Sequence, residues 1–175
     1  MTIRPMRIHI AGGPGSGKSV AAALISKSYG VPVTHLDDLF WDNAKGRYGI
    51  RASRERRDSD LAAVLDTPRW ITEGVYHTWI RRCLGEAEVV IILTTPVWLR
   101  DWRIVTRFAR RRLGQEPSKR ESVLDLVRLL RWNHGYDAAV LAPLRATLRD
   151  LGSHVFECRT GSEALAAVQC HLTRG

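Results

Sequence analysis

A glycine-rich run, Gly12-Gly13-Pro14-Gly15-Ser16-Gly17, leads directly into Lys18, Ser19 and Val20. These residue types at this spacing satisfy the pattern GxxxxGK[ST], a turn suited to holding a polyphosphate. Glycines allow positive φ and close backbone approach, so successive N–H groups can converge on phosphate oxygens. Lys18 then reaches the β- and γ-phosphates, and the Ser19 hydroxyl offers Mg²⁺ a hard oxygen. A random chain of this length matches the pattern roughly once in a hundred or more tries. Requiring a strand before it and a helix after it removes most of those. The run therefore predicts bound ATP with Mg²⁺, its phosphates at the positive end of the helix that follows.

Phosphoryl transfer also needs charge neutralisation and an oriented acceptor, and the remaining candidates divide along those lines. Asp37 and Asp38 follow a short strand-like segment. Asp37 is read as a base for an acceptor hydroxyl or an organiser of Mg²⁺ waters, and Asp38 as a helix cap or solvated turn. Glu73, followed by Gly74 and Tyr76, suits either a water-mediated Mg²⁺ role or a surface turn. Arg100, Arg103, Arg107, Arg110 and Arg111 recur at three- and four-residue steps and so share a broad helix face. Such a face is either solvated or a lid that brings arginines to phosphate, with Arg103, Arg107 and Arg111 as its working members. Arg47, Tyr48, Arg51 and Arg54, with Trp41 nearby, form a candidate acceptor site, cations for an anion and aromatics for a ring; the alternative for Trp41 and Tyr48 is core or surface packing. The six histidines show no metal-ligand spacing and are read as structural, and the other tryptophans as core or helix-packing residues.

These groups need a scaffold. Arg7–Ala11 reads as a strand, Lys18–Tyr29 as a helix closed by Gly30, and Val33–Leu36 as a second strand. A helix from about Ser53 to Leu65 and a strand from Arg69 to Thr72 follow. Glu88–Thr94, β-branched and almost wholly apolar, is the clearest buried strand. Helices are expected over about 97–113, 122–132, 138–151 and 162–172, with a last strand at Ser153–Cys158. Strands alternating with helices predict a three-layer α/β fold on a parallel sheet, as one domain spanning 1–175.

Composition narrows the class. With 45% hydrophobic and 26% charged residues the chain is an ordinary globular one. No apolar run approaches the ~20 residues that cross a bilayer, and the N-terminus lacks a signal-peptide pattern. The expectation is a cytoplasmic protein with no membrane partner, its three cysteines reduced. A net charge of +9 favours polyanionic partners, from nucleotides to nucleic acid.

Taken together, the segments Gly12–Ser19, His35-Leu-Asp-Asp-Leu-Phe-Trp41, Trp70-Ile-Thr-Glu-Gly-Val-Tyr76 and Glu88–Leu93 with Pro96 resemble the nucleoside-monophosphate-kinase branch of P-loop proteins. The similarity is greatest to the small adenylate-kinase-like proteins labelled DNA topology modulation or flagellar-regulation proteins, over nearly the whole chain. It implies the P-loop NTPase fold: a five-stranded parallel sheet of order 2-3-1-4-5 with a helical lid, about 103–120, and an acceptor-binding insertion, about 38–68. It also implies that Arg103 packs on the adenine, that Arg107 meets the phosphates, and that the loop containing Gly161 borders the base. The chain departs from these relatives in carrying Glu73 where Asp is usual, and Thr94-Thr95 where an acid commonly precedes the proline.

The function expected from sequence is an ATP-dependent phosphotransferase acting on a nucleotide, nucleoside or similar metabolite, as a monomer or homodimer. The alternatives are an ATP-dependent nucleic-acid-associated regulator, or a nucleotide sensor without turnover. Against the regulator, no helix-turn-helix, zinc-finger or RNA-recognition signature is present.

Overall fold

The computed structural model describes residues 5–42, 50–115 and 122–174. Five parallel strands, β1 (Met6–Gly12), β2 (Val33–His35), β3 (Arg69–Gly74), β4 (Val89–Leu93) and β5 (Val155–Cys158), form one sheet of order β2-β3-β1-β4-β5. Between them run α1 (Lys18–Tyr29), α2 (Leu36–Phe40), α3 (Arg54–Leu65), α4 (Arg81–Glu86), α5 (Val97–Arg112), α6 (Val123–Tyr136) and α7 (Ala142–Asp150), with α8 (Gly161–Arg174) last.

Strand β4 shows why the sheet is central. Val89, Ile91 and Leu93 enter one core, and Val90 and Ile92 the other, so both faces are covered. Ile8 and Ile10 of β1 meet Ile25 of α1 and Val168 of α8 on the first side. Leu65, Leu84, Leu144 and Leu148 cover the second.

Several boundaries differ from the sequence expectation for physical reasons. Strand β3 continues through Glu73 and Gly74 because its register with β1 pairs Ile10 with Glu73 and Ala11 with Gly74. Asp37 and Asp38 do not sit in an open turn; they occupy the first turn of α2, where its dipole favours acids. The expected break before residue 138 is absent. Helix α6 passes into α7 through a π-helical turn, Asp137–Leu141. Among the described residues no helix is long and apolar enough to cross a membrane.

Candidate functional site

The glycine-rich loop is built by strand β1 ending and helix α1 beginning only a few residues apart. Gly15 and Gly17 take left-handed φ values of 71° and 97°, which side-chain-bearing residues rarely adopt. At Gly15 a Cβ would also lie 2.6 Å from the Arg100 carbonyl oxygen. The Lys18 ammonium folds over the loop and donates to the Gly13 carbonyl at 3.1 Å. Burial holds the Lys18 pKa below its ordinary value, the Glu73 and Asp37 carboxylates oppose that shift, and Arg107 and Arg100 add to it. A cation in this position gains from an incoming phosphate anion.

Sheet register assembles the acids. His35 of β2 lies opposite Glu73 of β3, which lies opposite Ile10 of β1, just before the loop. Glu73, only 7% exposed, accepts from the Ser19 hydroxyl at 3.0 Å, and its same oxygen lies 2.6 Å from His35 Nδ1. His35 is thus a site residue that the sequence reading left as structural. The pairing of a hydroxyl and a carboxylate at the positive end of α1 fits Mg²⁺, which takes one or two protein oxygens and leaves the rest to phosphates and water. The described residues contain no cluster of three His, Cys, Asp or Glu donors.

Asp37 sits beyond Glu73 and accepts from the Tyr76 hydroxyl at 2.7 Å. Burial, first, and the Asp37 carboxylate, second, push the Tyr76 pKa upward, so the phenol stays a donor. Tyr76 stacks on Phe40 at 4.6 Å, and Phe40 meets Trp41 edge-on at 4.9 Å. An isolated antiparallel bridge joins Trp41 to Arg51, whose guanidinium carbon lies 5.6 Å from the Phe40 ring centre. Arg57 takes a similar place at 4.8 Å.

One cavity of about 940 Å³ joins these groups. Gly15, Gly17, Lys18, Ser19 and Val20 form its phosphate-loop wall, and Asp37, Trp41 and Arg51 a second. Glu73, Gly74 and Tyr76 line its floor end, and Arg103 and Arg107 of α5 enter beside Ile104. Helix α6 adds Arg128, Leu129 and Trp132, which the sequence reading missed because their spacing looks like any amphipathic helix. Gly12, Gly13 and the buried Ser16 are not among the lining residues. Arg111 is not among the lining residues, and neither is Gly161, which packs against Ala21 and Leu24 of α1. Arg47 and Tyr48 lie outside the described residues.

The arginines of α5 do not act as one face. Arg100, grouped with the lid arginines on spacing, is 1% exposed and forms a two-pronged ion pair with Asp137 at 2.9 and 3.0 Å. Arg103 donates to the carbonyls of Gly15 and Ser16 at 3.1 and 3.2 Å, gripping the loop from outside. The Thr95 hydroxyl, just before Pro96, donates to the Ser16 carbonyl at 3.0 Å and lies 3.4 Å from that of Arg159. Trp98 and Trp102 depart from the expected packing role and point into solvent.

No protein-family model and no curated protein matches the sequence. Solved structures do match. A shikimate kinase from Bacteroides thetaiotaomicron aligns over 96% of this chain and 98% of its own, with TM-score 0.61 and 14% identity. A gluconokinase from Sinorhizobium meliloti aligns over 99% and 94%, with TM-score 0.54 and 16% identity. A shikimate kinase from Acinetobacter baumannii in complex with shikimate aligns over 98% and 93%, with TM-score 0.54 and 18% identity. At such identities the likeness is one of architecture. Together with the strand order 2-3-1-4-5 and the loop between β1 and α1, it establishes that this chain has the P-loop NTPase fold.

Proposed function

We propose that the chain is an ATP-dependent phosphotransferase that moves the γ-phosphate to a small acceptor, a nucleotide, nucleoside or similar hydroxyl-bearing metabolite. The observation that carries this reading is one cavity lined both by the phosphate loop and by a tyrosine-held carboxylate with an arginine beside it. A loop that only held nucleotide would need no second, differently charged wall.

In this mechanism Lys18 exchanges the Gly13 carbonyl for phosphate oxygens, and Arg107 adds a second cation where charge spreads during transfer. Asp37 receives the acceptor hydroxyl and takes its proton, while Tyr76 keeps the carboxylate turned into the cavity. Arg51 meets an anionic group on the acceptor, and Trp41, Phe40 and Tyr76 pack against its body. Mg²⁺, when bound through Ser19 and, by way of water, Glu73 and Asp37, neutralises the β- and γ-phosphate oxygens. From the segments that resemble the DNA topology modulation-like proteins, His35–Trp41 and Trp70–Tyr76, the cavity takes Asp37, Phe40, Trp41 and Glu73–Tyr76, and the fold neighbours are named as shikimate kinases and a gluconokinase.

The test is ADP formation by purified protein across nucleosides, nucleoside monophosphates and small hydroxylated acids, with Lys18→Ala as control. Acceptor-stimulated turnover lost in the variant is the expected result. Tight ATP binding with no stimulation by any acceptor would remove the transferase reading and leave a sensor.

A further inference from the structure

The outer faces of α5 and α6 are apolar, although helices on the outside of an α/β domain ordinarily show water a polar face. Trp98, Trp102 and Val105 follow one another at four- and three-residue steps on one stripe of α5, and Leu113, the residue that caps the helix, continues it eight residues on. Trp98 is 71% exposed, Trp102 65% and Leu113 73%. Val123, Leu124 and Val127 are exposed on the first turns of α6. Asp101 of α5 binds both Asn133 and His134 of α6 at 2.7 Å, so the two helices are locked side by side and their stripes adjoin.

The size of this surface is informative. From the exposures and typical side-chain areas, these seven residues present on the order of 800 Å², above the ~300–600 Å² of a typical monomer's largest patch. About 800 Å² per partner is what a standard protein–protein interface covers. Its composition is equally selective. Arg110, Arg112 and Arg131 border the stripe, and neither helix shows lysine or a free acid among the described residues there. Tryptophan and arginine enriched, lysine and acids depleted, is the composition of interface cores.

We propose that this face is the contact between two copies of the chain, docked about a two-fold axis as a four-helix layer. A two-helix face is self-complementary under such an axis, and arginines of one copy can lie over tryptophans of the other. No acidic partner is needed. The inner sides of the same two helices carry Arg103, Arg107, Arg128 and Trp132 into the cavity. Pairing therefore holds the proposed lid helix and the α6 wall of both sites in one assembly. The inference stands on exposed side chains and is independent of the phosphotransferase reading.

Sedimentation velocity on the full chain tests it. The native protein is expected to be a dimer at micromolar concentration. Trp98→Ala with Trp102→Ala should weaken self-association by roughly 30-fold or more, the loss of a hot spot. Val127→Lys, which truncates nothing, should do the same, and both variants should bind an ATP analogue as the native chain does. Salt gives a second discriminator: the dimer should tighten from low to high ionic strength, because salt screens arginine–arginine repulsion across the axis. A native monomer throughout the micromolar range overturns the proposal, as does a dimer that survives both variants. Sedimentation with phosphatidylglycerol vesicles that salt abolishes, without self-association, also overturns it and assigns the face to an anionic bilayer.

Discussion

The guanidinium of Arg100 fills the space behind Gly13 so closely that a methyl group on that glycine would overlap Nη1. A buried cation thus backs the phosphate loop, and its counter-charge, Asp137, comes from the π-helical turn after α6. The pair is lopsided: Arg100 is 1% exposed and the Asp137 side chain 50%.

That asymmetry makes the two partners unequal. Removing Asp137 strands a buried cation, whereas removing Arg100 leaves a carboxylate that water already reaches. Asp137→Ala should cost about 2–3 kcal/mol, below the ~3–5 kcal/mol of a fully buried pair because its side is solvated. Arg100→Met should cost less, and the double variant less than the sum of the two. Urea denaturation through a double-mutant cycle measures all three values.

Thr95 presents a subtler case. Its hydroxyl joins the carbonyl of Ser16 to the end of β4, so Thr95→Val, of the same shape, removes one of that carbonyl's donors and leaves Arg103 as the other. With Arg103 still donating there, a stability loss of about 0.5–1.5 kcal/mol is expected. ATP-analogue affinity should fall with it, read by calorimetry, because Ser16 belongs to the loop.

Asp37 and Tyr76 should separate in kinetics. Asp37→Asn removes the proposed base and should lower kcat by about 10²–10⁴-fold while ATP affinity changes little. Tyr76→Phe removes only the group that orients it, so the decline should be smaller and appear partly in the acceptor KM. Equal losses in both variants would argue that Asp37 is held for packing.

A pH dependence resides in His9, buried on β1 with Nδ1 2.9 Å from Thr72 Oγ1. Burial, reinforced by Lys18, lowers its pKa from 6.5 to about 3. Between those values the unfolded chain holds a proton that the folded chain refuses, so stability falls as pH falls. The slope is about 1.4 kcal/mol per pH unit below 6.5, vanishing above it. His9→Asn, which keeps a polar atom near Nδ1, should flatten that part of the curve in urea titrations at pH 7.5, 6 and 5.

Much of the scaffold and the loop was legible because local chemistry dictates them. Glycines at 15 and 17 and the helix start at Lys18 are sequence-local, and β4 announces burial on both faces. The acidic positions were legible as types but not as partners. That Glu73 binds Ser19 and His35 depends on the register of three strands, which no short motif encodes. Arg100 was misgrouped for a related reason: helical spacing gives a residue's direction, but not what lies there, and Asp137 is a distant match in sequence. Arg128 and Trp132 reach the cavity only because α6 folds back along α5.

The wide turn at Asp137–Leu141 governs rotational phase. Leu144 and Leu148 of α7 are pinned in the core, so everything before the turn is oriented relative to that anchor. Such a turn holds about one residue more than an α-helical one, so deleting a residue there would restore a regular helix and keep α6 in phase. Deleting one between Trp132 and Asp137 would instead turn the rest of α6 by about 100°. Arg128 and Trp132 would swing away from the cavity wall, and Val123 and Val127 would rotate out of line with the tryptophans of α5. The π turn is thus where the loss of one residue can be absorbed, while the same loss one turn earlier would reset the cavity wall and the outer face together.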